Sequence, residues 1–160
     1  MERLPPELRP RLYGACELIL DLAHSLRAQQ PSLDLEALYI CAIVTEATMR
    51  PMFVGPHASM DAVVDPMPPD HAHGGVSRLQ IADRSGLSRE TVRRKTNKLI
   101  KLGILIEENE GIVRMPRGAD NGPAVTQLAD ESYRAVQRYE RRLRAHGCNG
   151  VCSCANGNSG

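Results

Sequence analysis

The stretch from residue 77 to 115, SRLQIADRSGLSRETVRRKTNKLIKLGILIEENEGIVRM, constrains this chain more than any other. Ser77 and Gln80 have capping-box spacing, in which the hydroxyl takes an orphan helix N–H and the amide reaches back to the cap. A first helix therefore begins at about Arg78, with Leu79 and Ile81 as apolar contacts and Ala82 small enough for a second helix to cross closely. Gly86 can take the positive φ that ends it, and Leu87 anchors the turn. Ser88 caps a second helix to about Leu102, with Gly103 where a C-terminal glycine is usual. At about 100° per residue, Val92, Thr96 and Leu99 share one side of that helix. Glu90, Arg94, Asn97 and Lys101 fall opposite, flanked by Arg93 and Lys98. Residues 104–115 then predict a β-hairpin that turns at Asn109, Glu110 and Gly111.

Charge is concentrated on the same stretch. Between Ser77 and Ile106 there are eight Arg or Lys and two acids, a local balance of +6 in a chain whose net charge is +1. Residues 1–76 hold five basic and ten acidic side chains, and residues 107–160 seven of each, so only the middle is drawn to a polyanion. A basic helix face is often merely solvated. Here the frame Ala82-x3-Gly86-x5-Val92, the basic helix directly after it and the hairpin are separate requirements of one motif, the winged helix-turn-helix.

The stretch resembles bacterial winged-helix transcription regulators. Ser88-Arg89-Glu90-Thr91-Val92 followed by Arg94 resembles the recognition helix of the cyclic-AMP receptor protein family, over about a quarter of the chain. The resemblance implies a sequence-specific regulator with this helix in the major groove of double-stranded DNA. It also implies that Arg89, Glu90 and Arg94 read base edges and that Ser88 and Thr91 hold phosphates. The chemistry suits those roles: arginine offers two donors to guanine O6 and N7, glutamate accepts from cytosine N4, and hydroxyls near a helix N-terminus suit phosphate oxygens. Arg93, Asn97 and Lys98 complete the expected DNA-binding set, Lys98 as a phosphate contact. Glu90 has the alternative of an intrahelical pair with Arg93 or Arg94, and Thr91 that of a filler beside Val92. The wing carries Glu107, Glu108 and Glu110, which oppose a phosphate backbone. Its tip is expected to stay off DNA, leaving Arg114 and Arg117 as secondary phosphate candidates.

The rest of the chain predicts a mainly α-helical protein in which flanking N-terminal and C-terminal helices serve dimerisation. Residues 10–29 carry a stripe of Leu12, Ala15, Cys16, Ile19, Leu22, Ala23 and Leu26. Asp34 can cap a helix over 35–50 whose surface is apolar nearly all round, and such a helix must be buried, either at a subunit interface or within the monomer. Pro123 can begin a last helix to about residue 145, with Leu128, Ala135, Val136, Tyr139 and Leu143 on one side. The expected organisation is an N-terminal helical dimerisation region at 1–50, a Pro-rich connection at 51–76, the DNA-binding unit at 77–117, a loop and helix at 118–146 and a Cys-containing tail at 147–160. This order of helices resembles dimeric repressors of the multiple-antibiotic-resistance type, which implies a homodimer on a two-half-site operator.

Several functions are disfavoured. Aromatics make up 3% of the chain and Trp is absent, so there is little to stack single-stranded bases on. No run of about eighteen apolar residues occurs and MERLPPELRP lacks a signal-peptide core, so a cytoplasmic protein with no membrane partner is expected. Five cysteines without an export signal argue against structural disulfides. No P-loop, H-E-x-x-H or nucleophile triad is present, so no enzyme activity and no cofactor is expected. Asp70, His71 and His73 lack a frame and a fourth ligand for a metal. Met49, Met52, Phe53, Met60 and Met67 either line a pocket for a small-molecule effector or cover the second helix. Two rival functions stay open: a winged helix used for protein assembly, and a metal- or thiol-responsive regulator built on Cys148, Cys152 and Cys154.

Overall fold

The computed structural model describes residues 4–56, 58–108, 111–119 and 122–146. The tail with Cys148, Cys152 and Cys154 and the wing-tip residues Asn109 and Glu110 therefore lie outside the described residues. The chain divides into two units, residues 29–126 and residues 1–28 with 127–160. The architecture is mainly α-helical with a small β wing, a winged helix-turn-helix flanked by helices.

The 29–126 unit is built around α2 (Leu35–Phe53). Asp34 starts this helix by accepting from Ala37 N at 3.0 Å. Pro51 lies inside its last turn, where the helical φ of the ring is tolerated although one backbone donor is lost. The helix therefore runs past the Arg50 at which the sequence pattern stops. Its neighbours are α3 (Met60–Val64, capped by Ser59), β1 (Val76–Ser77), α4 (Arg78–Ser85), α5 (Arg89–Lys101) and β3 (Ile112–Arg114). With β2 (Ile106–Glu107), β1 and β3 form a three-stranded antiparallel sheet in the order β1-β3-β2, with Val76 opposite Val113 and Glu107 opposite Val113 on the other edge.

The core of this unit is Ile40 and Val44 of α2, Ile81 of α4, Val92 and Leu99 of α5, Leu105 and Val113, all essentially without exposed surface. The nearly all-apolar α2 is thus covered from inside its own unit, with Leu35, Tyr39 and Phe53 left exposed. Of the two alternatives for this helix, the packing supplies burial within the monomer: helices, sheet and the 51–76 segment together offer the surface. It also separates α2 from the first helix, with which the sequence grouped it at 1–50. The segment 51–76 holds the end of α2, then α3, a 3-10 turn at Asp70–Ala72 and β1, and Met52 packs with Ala62 and Ala72. Met60, Met67 and Phe53 are exposed and Met49 is half-buried, while Met52, itself on α2, is covered by Ala62 and Ala72.

The second unit pairs α1 (Leu8–Gln29) with α6 (Pro123–Ala145). Gly14 lets the helices approach, since a Cβ there would stand 3.0 Å from the Tyr139 ring. Arg138 donates to Asp21 Oδ2 at 2.6 Å, Arg142 pairs with Glu17, and its guanidinium lies 5.1 Å from the centre of the Tyr13 ring. Gly14 and Ala135 are the buried residues of these two helices.

Candidate nucleic-acid interface

The turn between α4 and α5 is set by its caps. Ser77 and Gln80 form a capping box at the start of α4, and Gly86 ends that helix at φ 70, a left-handed backbone that side chains resist. Ser88 then caps α5, accepting from Thr91 N at 3.1 Å and donating its own hydroxyl to Thr91 Oγ1 at 2.9 Å. With Val92, Thr96 and Leu99 locked in the core, the opposite face of α5 is obliged to point outward.

Of the eight cations in this stretch, four are held by acids. Arg93 donates to Glu90 at 2.7 Å, the intrahelical pair left as the alternative for Glu90. This hydrogen bond holds the Glu90 carboxyl below its usual range and raises Arg93. Lys95 is nearly buried and bonds Asp34 and Glu36 at the start of α2. Arg84 donates to Glu46 at 2.7 Å, and Arg78 to Glu107. Arg89, Arg94, Lys98 and Lys101 are exposed and form no ion pair among the described residues. Ser88, Thr91 and Asn97 lie on the same helix, Thr91 and Asn97 half-buried. The fold therefore brings all eight expected site residues onto one element.

The wing differs from its expected electrostatics. Glu107 is bound by Arg78, whose hydrogen bond is the main cause of its lowered carboxyl pKa, and Glu108 accepts from Arg114 Nε at 2.5 Å. These two acids are neutralised by neighbours. Arg114 is correspondingly withdrawn as a phosphate candidate: it is 9% exposed and also donates to Met115 O at 3.1 Å. Arg117 donates to Pro68 O at 3.0 Å. The contact that residue patterns missed is Arg78 with Asn97 at 3.0 Å; partners 19 residues apart leave no periodic trace.

An open groove of about 480 Å³ lies beside α2 and α4, lined in part by Ala47, Pro51, Val76 and Gln80, and none of the clustered methionines reaches it. Among the described residues no group of three or more His, Cys, Asp or Glu could hold a metal ion, and no helix is long and apolar enough to cross a membrane. Burial pushes the Cys41 thiol up to about 11, which keeps it protonated and unreactive at neutral pH.

A family model described as winged helix-turn-helix DNA-binding matches residues 71–106. The span takes in β1, α4, α5 and the start of the wing. This part of the chain is thus similar to winged helix-turn-helix DNA-binding domains. The match is to the domain class, without singling out the cyclic-AMP receptor or multiple-antibiotic-resistance branches. No curated protein and no solved structure matches the chain.

Proposed function

We propose that the protein is a sequence-specific transcription regulator that binds double-stranded DNA as a homodimer, with α5 in the major groove. The observation that carries this reading is the outward face of α5. Arg89, Arg94 and Lys98 stand exposed there and form no ion pair among the described residues, while Arg78, Arg84 and Lys95 tie α4 and α5 to β2 and α2. Arg89 and Arg94 are suited to guanine edges, Lys98 and the Ser88 and Thr91 hydroxyls to phosphates, and Asn97 to a base. Glu90 can meet a cytosine amine only by sharing or leaving Arg93.

Support for the second copy comes from the α1 and α6 pair. Leu8, Leu12 and Ile19 are exposed and, at about 100° per residue, lie on the far side of α1 from Gly14. A helix pair with almost nothing buried has no core of its own, and a second pair across that face supplies one. One module also grips too few base pairs for a unique genomic address.

Selection of duplexes from a random library, followed by sedimentation with the winning sequence, tests both parts. The expected winner has two half-sites about one helical turn, or a multiple of it, apart and binds one dimer. A stable monomer at micromolar concentration removes the dimer. Absence of any selected sequence, with no salt-dependent binding to random duplex, removes DNA reading in favour of an assembly module.

A further inference from the structure

Arg78 opens α4, yet its guanidinium reaches both other parts of the motif. Nη2 donates to Asn97 Oδ1 of α5 at 3.0 Å and to Glu107 Oε2 of β2 at 2.9 Å, and Nη1 donates to Glu107 Oε1. A guanidinium has donors and no acceptor, so it can face only the oxygen of the Asn97 carboxamide. The amide nitrogen is therefore turned away from Arg78, and it donates to none of the described residues. The arrangement is costly for stability alone, because Arg78 Nε is buried with no hydrogen-bond partner among the described residues.

The geometry points to Arg78 as a specificity-determining positioning residue. Pinned by Glu107, it holds the Asn97 oxygen, so that the amide nitrogen is the group turned to hydrogen-bond an acceptor on a base edge: purine N7, guanine O6 or thymine O4. An unrestrained asparagine instead pairs with adenine through both its oxygen and its nitrogen. This inference rests on α5 being the helix that reads bases. It also assigns Glu107 a use: the carboxylate neutralises Arg78 and so keeps it on Asn97 and off the phosphates.

The test is a panel of single-base variants of the duplex that the wild-type protein selects. Asn97→Ala should abolish preference at one position per half-site. Arg78→Met should change preference at that same position, toward adenine by about fivefold, and leave the others alone. In an Asn97→Ala background it should change nothing there. Glu107→Gln weakens the tether and should move the same position less; it serves if Arg78→Met fails to fold, as thermal melting will show. Asn97→Asp keeps an oxygen for Arg78 but presents an acceptor outward, and should turn preference toward cytosine or adenine, whose N4 and N6 amines face the groove.

The proposal is overturned if folded Arg78→Met or Glu107→Gln protein leaves the Asn97 position unchanged. It is also overturned if Arg78→Met weakens all duplexes alike with a shallower salt dependence, which would make Arg78 a phosphate contact. If Asn97→Ala alters no position while Arg94→Ala does, the proposal fails and α5 still reads DNA. If neither alters any position, the reading of α5 fails and the proposal with it.

Discussion

Two buried threonines in this protein have opposite energetics. Thr48, in the middle of α2, donates to Val44 O at 2.8 Å and accepts from Met115 N at 3.1 Å, so its hydroxyl ties the helix to the chain leaving the wing. Thr96 of α5 is as deeply buried, and its Oγ1 has no hydrogen-bond partner among the described residues. Valine keeps the shape of both and removes the hydroxyl. Thr96→Val is expected to raise stability by about 1 kcal/mol, because a buried unpaired hydroxyl is lost. Thr48→Val is expected to lower it by about 1 kcal/mol, because the half-buried Met115 N–H loses its acceptor. Urea unfolding of the two variants checks the pair, and a loss of stability in Thr96→Val would reveal a partner for that hydroxyl. Sequence periodicity put Thr96 on the buried side of α5 correctly. It could not distinguish the two hydroxyls, since partners 67 residues apart as in Thr48 and Met115 are a property of the fold.

At the scale of elements, the contact between the start of α2 and α5 runs through Lys95, which bonds Asp34 and Glu36. The hydrogen bond from Lys95, with that from Ala37 N, holds the Asp34 carboxyl below its ordinary value. Asp34 in turn is the main cause that raises Lys95. A depressed carboxyl adds stability that is present above its unfolded value, about 3.9, and disappears as pH falls through the folded one. The raised ammonium adds stability present below about 10.4 that disappears as pH rises through its folded value. Asp34→Asn retains a good N-cap but removes the charge. Its stability should therefore fall less steeply than wild type as pH drops below about 4, with the two unfolding curves compared by circular dichroism. An unchanged acid limb would mean that the pair contributes nothing.

Element boundaries were legible where caps announce them: Ser77, Gly86, Ser88 and Pro123 mark ends of α4, α5 and α6 as expected. β1 was not, because two residues carry no period and owe their strand geometry to pairing with Ile112 and Val113. What covers α2 stayed open for a related reason. Its apolar surface states that it is buried, and only the packing of α4, α5 and the sheet states by what.

Over the whole molecule, the uneven charge visible in the sequence has a structural division of labour. Arg78, Arg84 and Lys95 tie α4 and α5 to the wing and to α2, and Arg93 pairs within α5, while Arg89, Arg94, Lys98 and Lys101 are exposed and form no ion pair among the described residues. The acidic side chains of the N-terminal half, Asp34, Glu36 and Glu46, serve as partners to this basic unit. The outward face of α5 was legible because helical periodicity separates it from Val92, Thr96 and Leu99. The state of each charge was not, because ion pairs such as Arg78 with Glu107 join distant stretches. The central claim is that this face reads base edges, and the most direct measurement is binding of Arg94→Ala and Lys98→Ala proteins to the selected duplex, base by base and across salt. Arg94→Ala should lose preference at one position per half-site at a cost of about 1 to 3 kcal/mol, whereas Lys98→Ala should weaken all sequences alike and lower the salt slope by about one. Wild-type discrimination at every base in the Arg94→Ala protein would contradict the account.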